Sequence, residues 1–340
     1  MDVALIDEGW SSTLVFAQTL ARAGHRVTVV TANGRSGHYR WQGVDWIGAP
    51  RLGPALVTAI DRLAVDHVIP TTETAMLALW DADPPWRAKL FPRAEPWQRA
   101  LVRDKHACLA HLAARGIAVP RHVELDHEDP IAALGLPLVV KGASGSAGER
   151  VTIVESRDEL AAAIAHARTV DDRWILQEHV ASPTFIVGGL FDRGRPLRAW
   201  AGHKLEQFPA RIGPAVRVRS IVDPALLALG LAAIRELAWT GFASADLVCD
   251  RGGCYRVLEI NPRLWGSVDG AIGANVDLFG AFSELLAGRV PAADLTYDPE
   301  VECRIYPRYL AAHPLRWSLR RVPALVGQLR RALAGGFRPA

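Results

Sequence analysis

Over the first third of the chain, short unbroken apolar runs alternate with stretches where apolar positions recur every three or four residues. Residues 3–6 (VALI) and 27–30 (VTVV) read as buried strands. Between them Leu14, Ala17, Leu20 and Ala21 follow helical spacing over 13–23, and Gly24 closes that helix. Residues 56–63 are again helical, and 67–69 form another short strand ending at Pro70. Strands alternating with amphipathic helices predict a parallel, doubly wound sheet of the α/β class. Thr71, Thr72 and Glu73 then stand just beyond a strand's carboxyl end, where open α/β sheets hold ligands. Asp83-Pro84-Pro85 breaks the pattern, and Pro92 and Pro96 extend an irregular stretch.

The pattern resumes with a helix over 104–115, stopped by Gly116. Residues 137–141 (PLVVK), 151–154 and 174–178 read as strands, and Ser156 caps a helix over 158–167, with Glu159 at capping-box spacing. A hairpin is expected from 186–191 and 197–201, then an amphipathic helix over 224–239. The last clear unit, 243–261, is two strands around Gly252-Gly253. A symmetric turn centred on those glycines sets Asp246 opposite Glu259, with Asn261 on the same face. Ala245, Leu247, Leu258 and Ile260 fall on the other face and read as core.

Composition narrows the classes. The chain has 340 residues, 50% of them hydrophobic and 22% charged, which predicts a globular protein of two or three domains. A net charge of +3 gives no case for nucleic acid. No apolar stretch is long enough for a membrane span, and the first ten residues lack the basic leader of a secretory signal. The four cysteines include no CxxC pair, so a cytosolic (cytoplasmic) protein is expected. The arginines of 314–340 read as one solvated helix face.

Two carboxylates facing each other across a strand pair repel. A divalent cation between them turns repulsion into ligation, and an all-oxygen set suits Mg²⁺, which also binds substrate phosphates. Arg263 adds a rigid fork for phosphate. Lys141 ends its strand before the glycine–serine loop GASGSAG at 142–148, whose backbone N–H groups are free to face an anion. The loop lacks the Walker A pattern and by itself also fits a plain hairpin connection. Together the two elements supply what a nucleoside triphosphate with Mg²⁺ requires.

These motifs, in this order over 2–288, resemble the ATP-grasp superfamily, in particular its carboxylate–amine (or thiol) ligases, and are similar to D-alanine–D-alanine ligases and carbamoyl phosphate synthetase-like domains. The resemblance implies an ATP-grasp fold. It divides the chain into a Rossmann-like N-terminal domain (1–100), a small α+β lid (101–183), an antiparallel-sheet domain (184–290) and a basic extension (291–340). It implies ATP contacts from Lys105, Lys141, Ser144, Gly145, Ser146, Glu178, His179, Val180 and Leu258. Two Mg²⁺ ions, with Mn²⁺ as a substitute, would be held by Asp246, Glu259 and Asn261. Arg263, Lys141 and Arg217 would be catalytic.

There are departures. Thr184 stands where the family often has a ribose-binding acid, so Glu178 is a candidate for that contact. Ser244 replaces an arginine of the D-alanine ligases, for which Arg217, Arg219 or Lys204 are the substitutes. Ser11, Glu73, Lys204, Arg219, Trp265 and Ser267 are the substrate candidates. The implied reaction activates a small carboxylate, such as an amino acid, as an acyl phosphate and joins it to an amine. The same motifs also admit a thiol or carrier-protein acceptor, or an ATP-binding regulatory protein. The expected partners are small molecules, with no nucleic acid, no membrane and room for a homodimer.

Overall fold

The computed structural model describes residues 1–313 apart from 10, 33–36, 50, 144–147, 149, 171 and 307. Ser144, Gly145, Ser146 and the arginine-rich 314–340 segment therefore lie outside the described residues, as does the Ser11 side chain. No helix among those described is long and apolar enough to cross a membrane.

Three sheets organise the chain. The first contains β1 (Asp2–Asp7), β2 (Arg26–Thr31), β3 (Gly37–Trp41), β4 (Val44–Gly48) and β5 (His67–Pro70), in the order β3-β4-β2-β1-β5. The pairs β1–β2, β1–β5 and β2–β4 are parallel, while β3 adds an antiparallel edge. Strand alternation shows the double winding. Val3 and Leu5 of β1 join a core with Phe16, Ala17 and Leu20 of α1 (Ser11–Arg22), whereas Ala4 and Ile6 join one with Leu56 and Ile60 of α2 (Pro54–Asp61).

The β3–β4 hairpin was not expected from the sequence. Gln42 and Gly43, at φ 48° and 81°, form its two-residue turn, as a right-twisted hairpin requires. The stretch between Asp81 and Pro96 is irregular apart from one 3-10 turn at Arg87–Lys89, as expected, but two helices that the pattern did not show flank it. They are α3 (Glu73–Asp81), capped by Thr72, and α4 (Pro96–Arg103), which takes Pro96 in its first turn, where no N–H is needed.

Next come α5 (Lys105–Ala113), capped by Asp104, and a sheet of β6 (His122–Glu124), β7 (Leu138–Gly142), β8 (Val151–Val154) and β9 (Trp174–Glu178), ordered β6-β9-β7-β8. Helices α6 (Pro130–Leu134) and α7 (Arg157–Ala167) accompany it. Leu134, Leu138, Val140, Leu160 and Leu176 form its own small core.

The third sheet is antiparallel throughout. It holds β10 (Thr184–Asp192), β11 (Arg195–Gln207), β12 (Ala215–Ser220), β13 (Gly241–Cys249), β14 (Tyr255–Asn261) and β15 (Glu302–Arg304), ordered β14-β13-β10-β11-β12-β15. Helix α8 (Pro224–Arg235), shorter than the sequence pattern suggested, covers one face. The helices α9 (Val268–Gly273), α10 (Leu278–Leu286) and α11 (Arg308–Ala312) follow β14. Phe242 and Phe279 stack around Phe16, joining α10 to the first sheet's helix α1.

Candidate functional site

The β13–β14 hairpin sets the site, by a route the sequence did not reveal. Its turn is a three-residue loop, with Asp250 and Cys254 paired and Gly253 at φ 80°, not a turn centred between the glycines. That loop sets Leu247 opposite Val257. A bulge at Leu258 then shifts the register by one, so Asp246 does lie opposite Glu259 and Ser244 opposite Asn261. The bulge also corrects Leu258, which lines the cavity instead of facing the core, and its carbonyl accepts from Lys141 Nζ at 3.3 Å.

A cavity of about 760 Å³ lies between the second and third sheets. On its floor, Glu259 Oε2 is 3.1 Å from Lys105 Nζ and 3.2 Å from Lys141 Nζ. Lys105 comes from the first turn of α5 and Lys141 from β7, so three elements converge on one carboxylate. Burial opposes its charge, but the two lysines and the Asn261 amide outweigh this and hold Glu259 well below the usual carboxylate range. Burial pulls Lys141 down, with Lys105 adding to the effect, whereas at Lys105 the attraction of Glu259 and Glu73 outweighs burial and raises the pKa. Asn261 Nδ2 donates to Glu259 Oε1 at 3.1 Å, and Arg263 Nη2 to Asn261 Oδ1 at 3.2 Å. Across the hairpin, Lys204 Nζ pairs with Asp246 Oδ2 at 2.6 Å.

The other expected residues divide clearly. His179, Val180, Trp265 and Ser267 line the cavity. Glu178 also lines it, but its carboxylate accepts from the Arg121 backbone N–H, from Arg121 Nε at 2.7 Å and from Arg256 Nη1 at 3.4 Å. A ribose contact would have to compete with those arginines. Glu73 does not line the cavity. It is buried beneath it at the start of α3, and burial raises its carboxyl, against the pull of Lys105 and Arg263. Ser11 begins α1, and its side chain lies outside the described residues.

Arg217 and Arg219 are corrected by strand parity. Val218 pairs with Lys204 and shares its face, so the two arginines point to the opposite side. There Arg217 pairs with Glu302 at 3.2 Å and Glu206 at 3.6 Å, and Arg219 with Glu300 at 3.2 Å. Of the three proposed substitutes for the cation missing at Ser244, only Lys204 reaches the cavity.

Two arginines in the wall had no sequence signal. Arg150 pairs with Asp172 at 2.6 Å. Arg308 comes from α11, distant in sequence from every motif, and donates to the Gly266 carbonyl.

The donor set for a metal is two carboxylates and one amide oxygen. No group of three or more His, Cys, Asp or Glu side chains gathers among the described residues, here or elsewhere. Facing carboxylates with one held ionised fit a hard, oxygen-preferring cation.

Known proteins resemble the chain. Residues 102–267 match the family model described as an ATP-grasp domain. Over 175 residues the chain is 32% identical to a D-alanine–D-alanine ligase of Geobacter sulfurreducens, covering 48% of this chain and 55% of that protein. The chain thus spans a little over half the length of the curated relatives it matches. Among solved structures, an L-amino acid ligase from Bacillus licheniformis superposes with TM-score 0.65 at 18% identity, covering 84% of this chain and 74% of that one. A biotin carboxylase from Campylobacter jejuni superposes with TM-score 0.70 at 15% identity, covering 88% and 74%. The ATP-grasp resemblance and the fold it implied are both borne out.

Proposed function

We propose that this chain, an ATP-grasp fold whose residues 102–267 are an ATP-grasp domain, is an ADP-forming ligase. It would phosphorylate a small carboxylate from ATP and join the resulting acyl phosphate to an amine. The observation that carries the reading is the charge layout of the cavity. Lys105 and Lys141 meet Glu259 on one side, and Asp246 and Asn261 extend the oxygen donors beside it. Triphosphate and metal need these two groups of residues next to each other.

In this reading Asp246, Glu259 and Asn261 hold Mg²⁺, which supplies neutralisation of phosphate charge. Lys105 and Lys141 exchange part of their hold on Glu259 for phosphate oxygens. Arg263, buried and braced by Asn261 and the Leu264 carbonyl, stabilises charge on the moving phosphoryl group. Lys204, braced by Asp246, supplies the cation on the face where Ser244 offers none. His179 and Val180 follow β9 at the cavity wall and take the base, and Gly142 and Gly148 line the same cavity. Residues 1–100 and 184–290 would bring the substrate end together, and 101–183 would cover the nucleotide.

The test is ADP formation with Mg²⁺, screened over amino acids and small carboxylates paired with amines. The reading expects turnover that requires both a carboxylate and an amine. Nucleotide binding without any ADP formation in the full screen would refute it in favour of a binding protein.

A further inference from the structure

Beyond Arg263 the cavity ends at a second arginine. Arg308 sits on α11, outside the 102–267 segment, and its guanidinium lies flat against Gly266. A Cβ placed on Gly266 would come 2.7 Å from Arg308 Nη2, so the contact depends on a residue without a side chain. Nη2 donates to the Gly266 carbonyl. The helix itself is anchored on both sides. Its Tyr309 ring lies under the Arg304 guanidinium at 5.3 Å, and His313 just beyond it meets Glu206 of β11. The arginine is thus held at the wall by contacts that are independent of any nucleotide.

The surroundings favour an anion there. Asp269 and Arg263 both act on the Arg308 charge, and Glu259, Glu73 and Arg263 act on that of Lys105. Arg263, Arg308 and the two lysines line one cavity. Burial pulls Arg308 down from its usual range, with Asp269 opposing and Arg263 adding. Burial pushes Asp269 itself up. Two guanidinium groups on one partly dry wall bind a carboxylate well, because each presents a planar fork matched to two oxygens.

We propose that Arg308 binds a carboxylate of the non-nucleotide substrate and selects for acids at this end of the cavity. The proposal rests on the ligase reading for the substrate's identity, but its binding test does not need turnover. The Trp265 indole N–H, next to Gly266 and assigned with Trp265→Phe, serves as an NMR reporter in the full chain. Acetate is expected to move this signal saturably, and acetamide is not. Arg308→Gln should weaken the acetate response about tenfold to a hundredfold, and Arg308→Lys should restore part of it. Gly266→Ala, which displaces the guanidinium but keeps its charge, should weaken it as well. An unchanged acetate response in Arg308→Gln, or an equal response to acetamide, overturns the proposal.

Kinetics then distinguish the source of the carboxylate. If it belongs to the amine, Arg308→Gln raises KM only for amino acids and not for their amides. If it belongs to the activated acid, KM for that acid rises with either acceptor. Absence of ADP formation in the unsubstituted chain would remove the ligase reading and leave the acetate titration to decide Arg308.

Discussion

Glu259→Gln gives the sharpest test of the site, because it separates a metal ligand from a structural charge. As a ligand alone, Glu259 could be replaced with little effect on the fold. The structure says otherwise, since its carboxylate is the shared partner of Lys105 at 3.1 Å and Lys141 at 3.2 Å. The two lysine side chains are only 11% and 8% exposed, so the substitution leaves two confined ammonium groups without their carboxylate. Removing one partner of a buried pair costs about 3–5 kcal/mol, and the 20% exposure of Glu259 argues for the lower end. With a urea slope of about 3 kcal/mol/M, the midpoint should fall by roughly 1 M. The same variant should lose the added stability that Mg-ATP gives the native chain, which is about 2.7 kcal/mol at a hundredfold excess over Kd. The assay is urea unfolding with and without Mg-ATP. An unchanged midpoint would refute the charge-cluster argument, and a retained Mg-dependent increment would refute the ligand assignment.

Other expectations follow from the same geometry. Glu259 is held below its ordinary value, so its contribution is fully present above that value and is lost as pH falls through the lower, folded-state value. The stability gap between the native chain and Glu259→Gln should therefore narrow on acidification, and a gap that widens would contradict the sign. Lys141→Ala should raise KM for ATP about tenfold to a hundredfold, measured by steady-state ADP release. Arg217→Ala and Arg219→Ala should leave that rate within about twofold, because both side chains face away from the cavity and their partly exposed ion pairs are worth little. A large rate loss in either would place an arginine of β12 back at the site.

The sequence shows most clearly where pattern and burial agree. Val3, Leu5, Ala4 and Ile6 alternate between two helical layers, and the doubly wound sheet follows from that. The β3–β4 hairpin was missed because β3 is an edge strand with several polar residues and Asp45 interrupts the apolar positions of β4. Arg217 and Arg219 were misplaced because charge type carries no facing information, and only the pairing of Val218 with Lys204 supplies it. Arg308 was invisible because its partner is a backbone carbonyl and its position is set by the return of the chain after β15.

The β13–β14 hairpin is the most instructive case, because the facing of Asp246 and Glu259 follows from a turn other than the one expected. A three-residue loop alone would have set Asp246 opposite Leu258 and sent Glu259 to the other face. The bulge at Leu258 compensates for that one residue and restores the facing carboxylates. It also presents the Leu258 carbonyl to Lys141, a contact that an unbulged strand in the same register would not provide. A regular hairpin could have placed two acids opposite each other. In the bulged one Lys141 of β7 reaches both the Leu258 carbonyl and Glu259, so β14 is tied to β7 at the irregularity.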